Sequence, residues 1–119
     1  MVLTCDDVER LCECKESLFS SGKYIFAFAS THFAEVVPQG AGKGIAMEIM
    51  SKSYNVPLSS FFAAGDAMTD LPMIELAGYS FAPSTSPQSL LDVCNMVIPP
   101  CEEGGMEKAF DTARELMRN

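Results

Sequence analysis

The chain has no tryptophan, a single histidine and only 8 basic residues against 16 acidic ones, which leaves a net charge of −8 over 119 residues. Nucleic acid and anionic membranes both select a basic face, so the shortage of cations argues against either as a partner. No apolar run approaches the roughly 20 residues of a bilayer crossing, and residues 1–4 carry no basic leader. The expectation is a cytoplasmic location. The cysteines Cys5, Cys12, Cys14, Cys94 and Cys101 form no C-x-x-C pair. An odd number without that spacing fits neither a disulfide framework nor the usual zinc site, and points to reduced thiols packed as small apolar residues. The lone His32 falls between two apolar runs with no orienting partner in view, which suits a solvated turn residue better than a general base.

What is present suits a folded core. Apolar residues make up 48% of the chain and charged ones 20%, ordinary values for a globular protein. Thr4-Cys5-Asp6-Asp7 reads as a capping box, and Val8, Leu11, Cys12, Lys15, Leu18 and Phe19 then recur at helical spacing. The β-rich runs at 24–29 and 33–37, separated by Ser30-Thr31-His32, predict a hairpin. From Gly44 onward the pattern alternates helix, strand, helix, strand, helix, strand, helix, which means a parallel sheet with right-handed crossovers. The first of these helices carries Ile45, Ile49, Met50 and Tyr54 on its apolar side. The last, with Met106, Ala109, Phe110, Ala113 and Leu116 or Met117, reads as an amphipathic surface helix that buries those positions.

The stretch FFAAGDAMTD at 61–70 organises the rest. Phe61-Phe62-Ala63-Ala64 is the unbroken apolar run of a strand covered on both faces, expected to be central in its sheet. Asp66 follows at the strand end, and Asp70 precedes a helix with Pro72 near its start and Gly78 past its end. Ligands bind at the carboxyl edge of open α/β sheets, and two carboxylates there suit a hard cation such as Mg²⁺. The plain alternative makes Asp66 a turn residue and Asp70 a helix cap. Ahead of them, Pro38-Gln39-Gly40-Ala41-Gly42-Lys43-Gly44 sets a lysine at a helix start. The backbone dipole favours anions there, so a cation at that place weakens its helix unless something negative sits in front of it. The G-x-x-x-x-G-K-[ST] spacing of a phosphate-cradling loop is absent, and a flexible linker is the bland alternative. A further loop at Ser84-Thr85 should meet the same sheet edge, with Ser86 and Pro87 opening the next helix.

Taken jointly, Gly42-Lys43-Gly44, then Gly65-Asp66-Ala67-Met68-Thr69-Asp70-Leu71-Pro72-Met73-Ile74, then Ala77-Gly78 and Ala82-Pro83-Ser84 resemble the haloacid dehalogenase superfamily, and within it the Cof-type phosphatases. The resemblance runs from about residue 35 to the C-terminus. It implies an α/β fold with a partial Rossmann-like parallel sheet at 38–119, preceded at 1–37 by a helix and β-hairpin resembling the end of a cap domain. It implies that Lys43 steadies phosphoryl charge, that Asp66 and Asp70 hold Mg²⁺, and that Ser84 stands at a substrate-contacting position. The implied function is Mg²⁺-dependent hydrolysis of small phosphorylated metabolites.

Two departures qualify it. No D-x-D occurs anywhere in the chain, so the family's aspartate nucleophile and its acid/base are missing, and Thr69 and Ser84 stand where the family has Asn. The chain therefore resembles the C-terminal half of such an enzyme, a remnant of a longer product or one completed by another chain. The alternative is a module of this fold acting by association. Without a neighbour for the 61–64 strand an apolar sheet edge lies open, and a homo-oligomer is expected to cover it.

Overall fold

The computed structural model describes residues 2–4, 9–10, 12–13, 16, 22–28 and 33–119. Cys5, Asp6 and Asp7 of the expected capping box, most apolar positions of the helix after it, and His32 lie outside the described residues. The described part opens on a strand with no clear signature in the sequence, β1 (Val2–Thr4). It pairs antiparallel with β3 (Phe33–Pro38), which also pairs antiparallel with β2 (Tyr24–Phe28) in the expected hairpin, Tyr24 opposite Pro38.

The second sheet is parallel, with order β4 (Phe62–Ala64), β5 (Tyr79–Pro83), β6 (Met96–Ile98). Helices α1 (Lys43–Tyr54), α2 (Leu71–Leu76), α3 (Gln88–Leu91) and α4 (Gly105–Arg118) alternate with these strands as the sequence pattern predicts. The result is an α/β fold with helices on both faces. Ala63 and Ala82 point to one face, where Ile74 of α2 and Leu90 of α3 close over them. Phe81 and Ile98 point to the other, under Ala109 and Ala113 of α4, with the rings of Phe62, Tyr79 and Phe81 stacked or tilted against one another at 5.2–6.5 Å between centroids. Alternation along the strands therefore assigns each residue its layer.

The structure corrects four sequence expectations. The central strand is β5, whose residues 80–83 are buried, whereas β4 stands at an edge of the sheet among the described residues. On α1 it is Gly44 and Met47 that are buried, while Ile49 and Tyr54 are 59% and 73% exposed. On α4 only Gly105, Ala109 and Ala113 are buried, and Phe110 is 66% and Met117 70% exposed. Both apolar stripes are wider than what packs against them among the described residues. Ser86 does not cap α3; Pro87 takes that position, and the Ser86 hydroxyl is buried without a partner among the described residues.

The β4–α2–β5 crossover closes tightly at its base. The Gly78 amide donates to the Leu58 carbonyl at 3.0 Å, and a Cβ on Gly78 would lie 1.9 Å from the Ser59 carbonyl oxygen. Backbone cannot yield as a flexible side chain can. Gly78→Ala should therefore cost about 3 kcal/mol or more, the upper end of overpacking penalties, read as a lower urea midpoint; an unchanged midpoint would contradict the close approach.

Candidate active site at the carboxyl edge of the parallel sheet

Because β4, β5 and β6 run parallel, their carboxyl ends share one edge, and the loops at 65–70, 84–87 and 99–104 gather there. Gly65 follows β4 directly, and a Cβ on it would meet the Asp70 side chain at 2.4–2.7 Å, so only glycine lets that carboxylate lie across the strand end. Asp70 is 3% exposed. Its Oδ2 accepts the amides of Asp66 at 3.0 Å and Ala67 at 3.1 Å, closing the loop on itself, and its Oδ1 pairs with Lys43 Nζ. Asp70 thus does something other than cap α2, whose N-terminus receives no side-chain hydrogen bond. It is the negative group that a lysine at a helix start requires. Lys43 reaches it because Gly44 lets α1 close on α2, where a Cβ would stand 2.9 Å from Pro72 Cβ.

Asp66 is exposed, and its carboxylate accepts no hydrogen bond from the described residues. It lines a pocket of about 230 Å³ with Ala64, Gly65, Pro83, Cys101 and Met106. Cys101 and Met106 carry no site signature in the sequence beyond their place just past β6, which puts them at this edge. On the other side of the 68–70 turn, Lys43 and Thr69 line a cleft of about 500 Å³ whose remaining walls include Val37, Ile45, Met68 and Pro72. Ser84 lies one residue beyond β5, exposed, its amide bonded to the Ile98 carbonyl at 2.9 Å and its hydroxyl without a partner among the described residues. The structure therefore brings Lys43 and Asp70 into contact and sets Asp66 and Ser84 on neighbouring loops.

Mg²⁺ asks for near-octahedral oxygen ligation. Both Asp70 oxygens are committed to the loop amides and Lys43, which leaves the Asp66 carboxylate as the donor with open valences. Among the described residues no group of three His, Cys, Asp or Glu stands ready to hold a metal. These residues alone do not surround the ion, and the rest of its shell would have to come from water, substrate or other polypeptide. Cys12, Cys94 and Cys101 are free thiols, and among the described residues no helix is long and apolar enough to cross a membrane.

A family model described as haloacid dehalogenase-like hydrolase matches residues 1–110. The chain is 28% identical over 105 residues to the 5-amino-6-(5-phospho-D-ribitylamino)uracil phosphatase YwtE of Bacillus subtilis, covering 88% of this chain and 37% of that protein. It is 33% identical over 88 residues to an HMP-PP phosphatase of Yersinia pseudotuberculosis, covering 72% of this chain and 32% of that one. Among solved structures, a HAD/COF-like hydrolase from Plasmodium vivax superposes with a TM-score of 0.84 at 22% identity over 97% of this chain and 41% of its own. The chain thus spans well under half the length of the relatives it matches.

The geometry orders two substitutions. The Asp70 side chain is 4% exposed and that of Lys43 is 55% exposed, so water can replace the lysine far more easily than the acid. Asp70→Ala, which orphans two loop amides, should cost about 3 kcal/mol and Lys43→Met about 1 kcal/mol in urea unfolding; the reverse order would refute the bracing role of Asp70.

Proposed function

Because the chain belongs to the haloacid dehalogenase-like hydrolase family, we propose that it forms the lysine- and metal-binding part of a Mg²⁺-dependent hydrolase acting on phosphoric monoesters of small metabolites. The observation that carries this reading is the Lys43–Asp70 pair at the carboxyl edge of the parallel sheet, in the loop that also presents Asp66. Phosphoryl transfer asks the protein mainly for positioning and for neutralisation of oxygen charge. Lys43, held in direction by the buried Asp70, supplies a fixed cation, and Asp66 offers a carboxylate oxygen to Mg²⁺, which when bound adds further charge neutralisation. Ser84, at the neighbouring strand end, offers a hydroxyl to the substrate. The phosphatase names of the two relatives support small phosphorylated compounds as the substrate class.

Covalent catalysis needs a nucleophile. With no D-x-D in the sequence, the reading takes the aspartate nucleophile from outside these residues. A second reading, a module of this fold that acts by self-association, is favoured by the open edge of β4 and the exposed apolar stripes on α1 and α4.

Two measurements test the first reading. Titrating Mg²⁺ into the isotope-labelled chain should shift the amide resonances of residues 65–70, and Asp66→Asn should abolish those shifts; shifts that survive the substitution would remove Asp66 from the metal site. Hydrolysis of an aryl phosphate by the chain alone should stay at background with and without Mg²⁺, whereas metal-dependent turnover would reveal a nucleophile within it.

A further inference from the structure

The bend after β6 sets two sulfur atoms on one pocket. Pro99 and Pro100 follow the strand, and the chain folds back through a short turn at 101–103 into α4. Backbone hydrogen bonds fasten that fold: the Glu103 amide donates to the Pro100 carbonyl at 2.9 Å, the Gly104 amide to the Cys101 carbonyl at 3.2 Å, and the Gly105 amide to the Pro100 carbonyl at 3.2 Å. Gly104 turns the backbone at φ 81°, and a Cβ on Gly105 would lie 2.0 Å from the Pro99 carbonyl oxygen. Cys101 opens this bend and Met106 stands in the first turn of the helix beyond it. The braced backbone brings both to the pocket that Asp66 also lines.

The two sulfurs are uncommitted among the described residues. Elsewhere sulfur is engaged: the Cys94 thiol donates to the Leu91 carbonyl at 3.5 Å, and Met68 Sδ accepts the Ser89 hydroxyl at 2.9 Å. Cys101 is exposed and Met106 is 37% exposed, and neither makes a side-chain hydrogen bond there. Ala64, Gly65 and Pro83 complete the pocket and bring no side-chain donor. Its donor set is therefore one thiol, one thioether and one carboxylate. A hard cation finds a single side-chain ligand of its preferred kind in that set, whereas thiolate and thioether together are what a soft cation selects. A soft monovalent ion with a closed shell is satisfied by few ligands, so the pair suffices. The carboxylate beside it adds negative charge on a chain that already carries −8.

We propose that Cys101 and Met106 form a chelating site for a soft monovalent cation of the copper(I) type, on the pocket shared with Asp66. As the bond from Cys101 Sγ to the ion forms, the thiol gives its proton to solvent; Met106 Sδ adds a lone pair with no proton change, and no electron is transferred. The site needs none of the phosphoryl chemistry proposed above.

Silver(I), a redox-inert ion of the same preference, is the probe, added as its nitrate to the reduced chain isotope-labelled at the methionine methyl groups. The Met106 methyl resonance, identified by its loss in Met106→Leu, should move as silver is added. Cys101→Ser and Cys101→Ala should each abolish that movement while the other methyl resonances keep their positions, which checks that the fold is intact. Cys12→Ser, which removes an exposed thiol elsewhere, should leave the movement unchanged. The methyl reports contact at this one sulfur, whatever silver other thiols take up. A Met106 methyl that stays in place overturns the proposal, as does a movement that survives both Cys101 substitutions or is lost in Cys12→Ser. Magnesium binding is read from the amides of residues 65–70, so either reading can fail without the other.

Discussion

A buried carboxylate holds the candidate site together. Asp70 lies across the end of β4 with almost no contact with water, and three donors converge on it: two amides of its own loop and the ammonium of Lys43. An ionised group withdrawn from water is tolerated only when it is paired and hydrogen-bonded. That requirement dictates the surroundings. Gly65 must lack a side chain so that the carboxylate can pass, Gly44 must lack one so that α1 can sit close enough to α2 to deliver the lysine, and the 65–70 loop must fold back so that its amides face inward. Asp70 accepts the consecutive amides of Asp66 and Ala67, while the Asp66 carboxylate itself stands in solvent.

The same economy is missing on the opposite flank. The parallel sheet stops at β4 while the helices beside it keep apolar residues on faces that have nothing beneath them among the described residues. Burying such surface contributes about 25 cal/mol per Å², so leaving it in water is a standing cost. A fold can bear that cost when the surface is used in association, and the relatives' much longer chains show how much polypeptide the same frame accommodates.

The order of elements from α1 to α4 was legible because each carries its own period and punctuation: Gly42 and Asn55 around α1, Gly78 after α2, Pro99 and Pro100 after β6. The residues proposed for the site stand out in the sequence too, as a lysine at a helix start and two acids at a strand end. Their relations were not. Periodicity marks an apolar stripe but cannot say which part of it meets a sheet, so Ile49 and Phe110 read as core and stand in water. Nor could the pattern show that Asp70 serves Lys43 rather than its own helix, since the pairing spans 27 residues and depends on how α1 packs. The strand β1 escaped notice because three residues are too few to show alternation.

The crossover from β4 through α2 to β5 is fastened at two points, Asp70 over Gly65 at the top and Gly78 under Ser59 at the base. With both ends clamped by contacts closer than any side chain allows, the segment between them has no slack. Its length is therefore a fixed dimension of the molecule: an inserted residue could not be taken up by a bulge or a looser turn without lifting either the acid from the strand or the helix from the loop. An added residue meets no such clamp in the exposed turn at 38–40, where a Cβ on Gly40 would find nothing within 4 Å. That turn runs straight into Ala41, Gly42 and Lys43 on the wall of the larger cleft, so the part of the chain with room to lengthen is also the part that borders that cleft.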